Sequence, residues 1–236
     1  MVTTEHKVGL SYKPVGICGF PFEFITPFIT DGYTTCIETG TYHGNTTLYL
    51  ADLFHSVWTI EFSEEFFSEA QKKFVDKANI TAVFGDSREQ LGKILDIVSG
   101  NKVVLYLDAH YSVGNTKNNI SSLINELELI NFKTTDSIIV VDDARIINMT
   151  YCNERYAELP HFISILYNNE RYISMVGDQY IAVPYKYKDA VDAYSNKFSM
   201  LEMEHFSRIF GSAYPSSPAF GYKLPGICDK SERIKN

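Results

Sequence analysis

Acidic residues close five successive β-rich runs in this sequence. Glu38 ends "TTCIE", Glu61 ends "SVWTIE", Asp86 follows "TAVFG", Asp108 ends "KVVLYLD", and Asp142 and Asp143 end "SIIVVDD". Ligands of open α/β sheets sit beyond the carboxyl ends of the strands, so these are positions where side chains do chemistry. A lone acid there is as often a helix cap or turn residue, but five in order point to one ligand-bearing edge. Gly40 and Gly44 bracket Thr41 in the first turn, where the lack of a Cβ permits a tight bend and close approach of a ligand to the backbone. Glu61 lies 21 positions after Gly40. An acid about 20 residues on is placed to accept hydrogen bonds from ribose hydroxyls. The three-glycine dinucleotide pattern is absent, and Glu38 would set a negative charge beside any pyrophosphate at the helix N-terminus. The ligand that fits has a ribose and, in place of phosphate, an ammonium group facing Glu38.

Two chemistries compete on the other side of this edge. Asp108, Asp142 and Asp143 could converge on Mg²⁺ or another hard divalent cation, which would lower the pKa of a bound hydroxyl. His110, two residues beyond Asp108, could instead act as general base, its ordinary pKa lying near neutrality. In the bland alternative the paired aspartates cap the next segment and His110 hydrogen-bonds a loop. Arg145 could bind an anionic substrate group or pair with Asp142. Neither a G-x-S-x-G elbow nor a P-loop occurs, which disfavours hydrolase and NTPase readings.

The elements that must position these residues alternate. Helices are expected in "NTTLYLADLF", "SEEFFSEAQKKFVDKA" with Ser63 as N-cap, "SREQLGKILDIVSG", "NNISSLINELELINF" and "ELPHFISILYNN". Strand and helix in turn predict an α/β fold with a doubly wound, mostly parallel, seven-stranded Rossmann-like sheet. The all-apolar "VVLYL" and "IIVV" belong at its buried centre. "RYISMVGDQYIAVPY", with its Gly177-Asp178 turn, adds an antiparallel C-terminal hairpin at one edge. One domain is expected, with residues 34–185 as its core. The segments 1–33 and 186–236, rich in aromatics and prolines, are expected to pack on it as a cap, lid or dimer contact.

Composition agrees with a globular chain. Its 236 residues are 45% hydrophobic and 21% charged, with a formal net charge of −8. The acids are spread along the chain, which argues for a small-molecule partner and against nucleic acid. The four cysteines form no CxxC pair, so free thiols are expected rather than zinc or a disulfide framework. "MVTTEHKVGL" lacks a basic region followed by a long apolar run, and no apolar stretch approaches the roughly 20 residues of a membrane span. A cytoplasmic location without membrane partners is expected.

"IETGTYHGNTT", "WTIEFSEEF", "VFGDSREQL", "LYLDAHYS" and "IIVVDDAR" together resemble the successive motifs of class I S-adenosylmethionine (SAM)-dependent methyltransferases, over about residues 34–185. SAM has the ribose and the ammonium that the first turn asks for. Within the class, "LDAHYS", "NELELI" and "VVDDAR" look most like small O-methyltransferases, including those acting on sugar hydroxyls. The resemblance implies that Glu38, Gly40, Thr41 and Gly44 frame the methionine moiety, that Glu61 holds the ribose, and that Asp86 and Ser87 border the adenine. Asp108 would stand between cofactor and acceptor. Tyr42, His43 and Asn45 occupy turn positions that are often smaller. The other readings are a nicotinamide-dependent oxidoreductase and a non-catalytic nucleotide- or glycan-binding module.

Overall fold

Strands buried on both faces are apolar throughout, and the two most apolar runs in the chain form the middle of the sheet. These are β4 (Val103–Leu107) and β5 (Ser137–Val141), every residue of which is buried. The computed structural model describes residues 20–109 and 121–210, apart from 135, 149, 152 and 153. The other strands are β1 (Thr35–Thr39), β2 (Ser56–Glu61), β3 (Ile80–Phe84), β6 (Thr150–Tyr151), β7 (Glu154–Arg155), β8 (Arg171–Val176) and β9 (Gln179–Pro184). Seven of these make one sheet in the order β3-β2-β1-β4-β5-β9-β8. Neighbours from β3 to β5 are parallel, and β9 pairs antiparallel with both β5 and β8. This is the doubly wound sheet with an antiparallel edge hairpin that the sequence predicts.

Chain direction across the sheet reverses at β1. The chain moves outward through β2 and β3, then returns to lay β4 on the other side of β1. The crevice between the ends of β1 and β4 is therefore the topological switch point, the place where such sheets bind ligands. Register aligns Thr39 with Leu107, so Gly40 and Asp108 leave the sheet side by side.

Alternate residues of each strand serve two cores. Cys36, Val104, Tyr106, Ile138 and Val140 pack with α1 (Phe22–Thr30) and α2 (Asn45–Leu53) through Phe24, Ile25, Phe28 and Leu50. Ile37, Leu105, Leu107, Ile139 and Val141 pack on the other face. There they meet Leu91 and Ile94 of α4 (Ser87–Ile97), Leu127 and Ile130 of α5 (Leu123–Lys133), and Phe162 of α6 (Leu159–Leu166). The remaining helices are α3 (Glu64–Lys73), capped by Ser63 Oγ accepting from the Phe66 amide at 3.5 Å, and α7 (Lys188–Phe210). α3 stops at Lys73, short of the sequence expectation, because a turn with Lys77 N donating to Phe74 O at 2.8 Å must lead into β3.

The two flanks meet on one face. Phe24 of α1 lies 5.2 Å from Tyr194 of α7 between ring centroids, Phe28 lies 4.8 Å from Tyr187, and Lys197 pairs with Glu23. Phe20, Phe24, Ile25 and Phe28 are at most 4% exposed, which makes α1 a wall of the core rather than a loose cover. Truncating a core phenylalanine to alanine costs about 3 to 5 kcal/mol. Phe24→Ala should lower unfolding stability in denaturant by that amount, and a loss below about 1 kcal/mol would show that α1 is not part of the folding unit.

Candidate functional site

The turn after β1 is built on two glycines with left-handed backbones, Gly40 at φ +85° and Gly44 at φ +73°. A Cβ on Gly40 would lie 2.4 Å from the Asp108 carbonyl oxygen, and one on Gly44 would lie 2.7 Å from the Phe74 ring. Only glycine lets the β1 turn press against the end of β4 while α3 closes over the other side. Amides of Gly40 and Thr41 donate to Ile60 O at 3.0 and 3.3 Å, which ties the turn to β2.

Glu38 stands beneath this turn, 1% exposed. Its Oε2 accepts from Thr47 Oγ1 of α2 at 2.5 Å and from Thr59 Oγ1 of β2 at 2.7 Å. Thr41 Oγ1 lies 2.5 Å from Thr59 Oγ1 and extends the network into the turn. Oε1 is buried with no hydrogen-bond partner among the described residues. Burial pushes the Glu38 carboxyl up to about 8; the two threonine hydroxyls oppose this, while Asp108 and Glu61 add to it.

Glu61 serves the turn directly. Its Oε2 accepts from the Tyr42 amide at 2.8 Å and its Oε1 from the Ser63 amide at 2.7 Å, so it fixes both the left-handed Tyr42 (φ 48°) and the start of α3. A carboxylate has about four acceptor positions, which leaves lone pairs for a diol. Asp86 caps α4, accepting from the Arg88 amide at 3.0 Å, and is held by Arg88 Nε at 3.0 Å and Nη2 at 2.6 Å. Ser87, at the first position of α4, is buried.

Beyond β4 and β5 lies a narrow cleft lined by residues that include Asp108, Asp142, Ser121, Glu126 and Tyr156. Asp142 Oδ2 accepts from Tyr106 Oη at 2.6 Å, and Oδ1 from Gln179 Nε2 at 3.4 Å. Burial, then the nearby Asp108, push the Asp142 carboxyl up to about 7, against the Tyr106 hydroxyl. Asp143 goes elsewhere. Its backbone is left-handed at φ 55°, and its Oδ1 meets Arg145 Nη2 at 2.6 Å, while Arg145 also pairs with Asp178. Arg145 thus pairs with Asp143 and Asp178 rather than with Asp142.

The three-aspartate cation site is therefore not assembled. Among the described residues no group of three or more His, Cys, Asp or Glu side chains could hold a metal ion. The reason is geometric: consecutive residues leaving a strand point in different directions, and the left-handed turn at Asp143 delivers its carboxylate to Arg145. These residues do not fit Mg²⁺. His110 lies outside the described residues.

Glu126 was not singled out from sequence, yet it is buried on α5 with Oε2 accepting from Thr39 Oγ1 at 3.3 Å. Its signal was available, since Glu126 falls on the apolar stripe of Leu123, Leu127 and Ile130, where an acid is out of place. Thr47, Thr59, Tyr106 and Gln179 carried no comparable signal.

No protein-family model and no curated protein matches the sequence. Solved structures match in shape. A provisionally assigned O-methyltransferase from Klebsiella pneumoniae is 16% identical, with 76% of this chain and 85% of that chain covered and a TM-score of 0.52. The O-methyltransferase TomG from Streptomyces achromogenes, solved in complex with SAM, is 15% identical over 69% of this chain and 78% of that chain, with a TM-score of 0.48. The first of these establishes the fold: the chain shares the Rossmann-like architecture of that O-methyltransferase structure. No helix among the described residues is long and apolar enough to cross a membrane.

The raised Glu38 carboxyl makes stability fall with pH. The unfolded chain releases this proton near the ordinary glutamate value of 4.5, whereas the folded chain holds it until about 8. The contribution is thus present below the unfolded pKa and lost as pH rises across that window. Urea unfolding at several pH values should show a shallower decline in Glu38→Gln than in the wild type, and parallel curves would show that Glu38 is not the titrating group.

Proposed function

We propose that the protein transfers a methyl group from SAM to a hydroxyl oxygen of a small molecule or sugar. The observation that carries this reading is the switch-point crevice: a glycine-only contact between the β1 turn and Asp108, over a buried Glu38 oxygen with no partner among the described residues. A cationic ligand group at that oxygen would stabilise the ionised carboxylate and so oppose the burial that raises the Glu38 pKa. The residues present fit SAM, because Glu38 suits its ammonium, Gly40, Thr41 and Gly44 leave room for the methionine portion, Glu61 offers acceptors to the ribose, and Asp86 with Ser87 borders the adenine end.

SAM supplies a methyl carbon on a positively charged sulfur. The chain's part is to hold donor and acceptor in line, keep water out and take one proton. Held by Glu38, Gly40, Thr41, Gly44 and Glu61, SAM would supply its methyl group to the acceptor oxygen, with the carbon–sulfur electron pair left on sulfur. The hydroxyl proton passes to a base. His110 directly follows Ala109 of the cleft wall and is the base proposed from sequence, with Asp108 positioning the acceptor. Asp142, with its carboxyl near neutrality, is a second group able to accept a proton there. No step requires a metal ion.

Two measurements test this reading. Calorimetric titration with S-adenosylhomocysteine (SAH) should show binding that NAD and NADP do not. Glu61→Gln, which keeps the side-chain shape, should weaken SAH at least about tenfold, since hydrogen bonds to charged groups contribute about 1.5 to 3 kcal/mol each. Unchanged SAH affinity in folded Glu61→Gln would remove Glu61 from the ribose site.

A further inference from the structure

The acceptor cleft carries more acid than methyl transfer to a neutral hydroxyl requires. Asp108 and Asp142 stand at the ends of β4 and β5, and Glu126 reaches the same cleft from α5. Glu126 is 1% exposed, and its Oε1 has no hydrogen-bond partner among the described residues. Burial raises its carboxyl above the usual range, although the hydroxyls of Ser87, Ser122 and Thr39 beside it work in the opposite direction. The nearby cations are engaged elsewhere, Arg88 by Asp86 and Arg145 by Asp143 and Asp178. Neither lines the cleft.

Carboxyl groups shut away from water are stabilised by a ligand that brings positive charge and N–H donors together. A primary ammonium carries three donors on a head about the size of a water molecule, which suits a narrow cleft. The walls contributed by Leu107, Leu123 and Ile147 suit the methylene that carries it.

We propose that the methyl acceptor is an amino alcohol or amino sugar whose ammonium group seats against Glu126, between α5 and the ends of β4 and β5. This rests on the methyl-transfer reading above for the identity of the neighbouring hydroxyl. The ammonium anchors the substrate so that the hydroxyl, and not the charged nitrogen, faces the donor. Acceptors bearing phosphate or carboxylate are repelled by the same three acids.

The test titrates the full-length protein in EDTA, with and without saturating SAH, with glucosamine and ethanolamine against glucose and ethylene glycol, read by ligand-observed NMR. Each ammonium compound should bind at least about tenfold more tightly than its neutral counterpart. In a Glu126→Gln protein that still binds SAH, the preference should fall to about twofold or less. Equal or tighter binding of the neutral compounds, binding of none of the four, or a preference that survives Glu126→Gln would overturn the proposal. The wild-type comparison decides the matter if the variant does not fold. Failure of SAH to bind would instead sink the methyltransferase reading, while the ammonium preference remains readable in the SAH-free protein.

Discussion

Gly40 and the Asp108 carbonyl occupy space that a single methyl group would close. That approach is what brings the β1 turn and the end of β4 into one crevice, and the remaining polar groups are arranged around it. Glu61 braces the turn through the Tyr42 amide. Thr47 and Thr59 hold one Glu38 oxygen, and the other finds no partner among the described residues. A buried carboxyl with an unmade bond is costly, so its retention at the switch point marks a place where stability and ligand recognition pull in different directions.

The same opposition recurs on the acceptor side. Asp142 is supported by Tyr106 and Gln179, Glu126 by Thr39, and Asp143 by Arg145. Each acid is partly compensated from a different element, and Asp142 and Glu126 share the cleft without collapsing onto a common partner. Carboxyl groups line both the β1–β2 side and the β4–β5 side of the strand ends, an arrangement that favours cationic groups at either.

Much of this was legible in the sequence because strand ends are legible. Short apolar runs followed by an acid locate the carboxyl edge, and the parallel order then places Glu38, Glu61, Asp108 and Asp142 along it. What the sequence does not carry is direction within a turn. Asp142 and Asp143 look equivalent as a pair, and only the left-handed backbone at Asp143 separates their roles. Thr47 and Thr59 are ordinary helix and strand residues until a buried carboxylate needs them. Glu126 stands out as an acid on the apolar stripe of α5, but what it faces depends on how α5 packs on the sheet, a tertiary fact. The two-residue strands β6 and β7 are too short to leave any pattern.

The pairing of α1 with α7 bears on how the chain can be made. The helix that begins the described structure packs partly against residues late in the chain, Phe24 on Tyr194 and Phe28 on Tyr187. During synthesis β1 to β5 emerge well before their neighbour β9 and the helix that closes the face shared by Ile138, Val140 and Ile181. A nascent chain paused before β9 presents an open strand edge beside exposed apolar surface, the combination that chaperones bind and that drives aggregation. Native packing of this face thus depends on contacts between residues far apart in sequence, the kind that is slow to form.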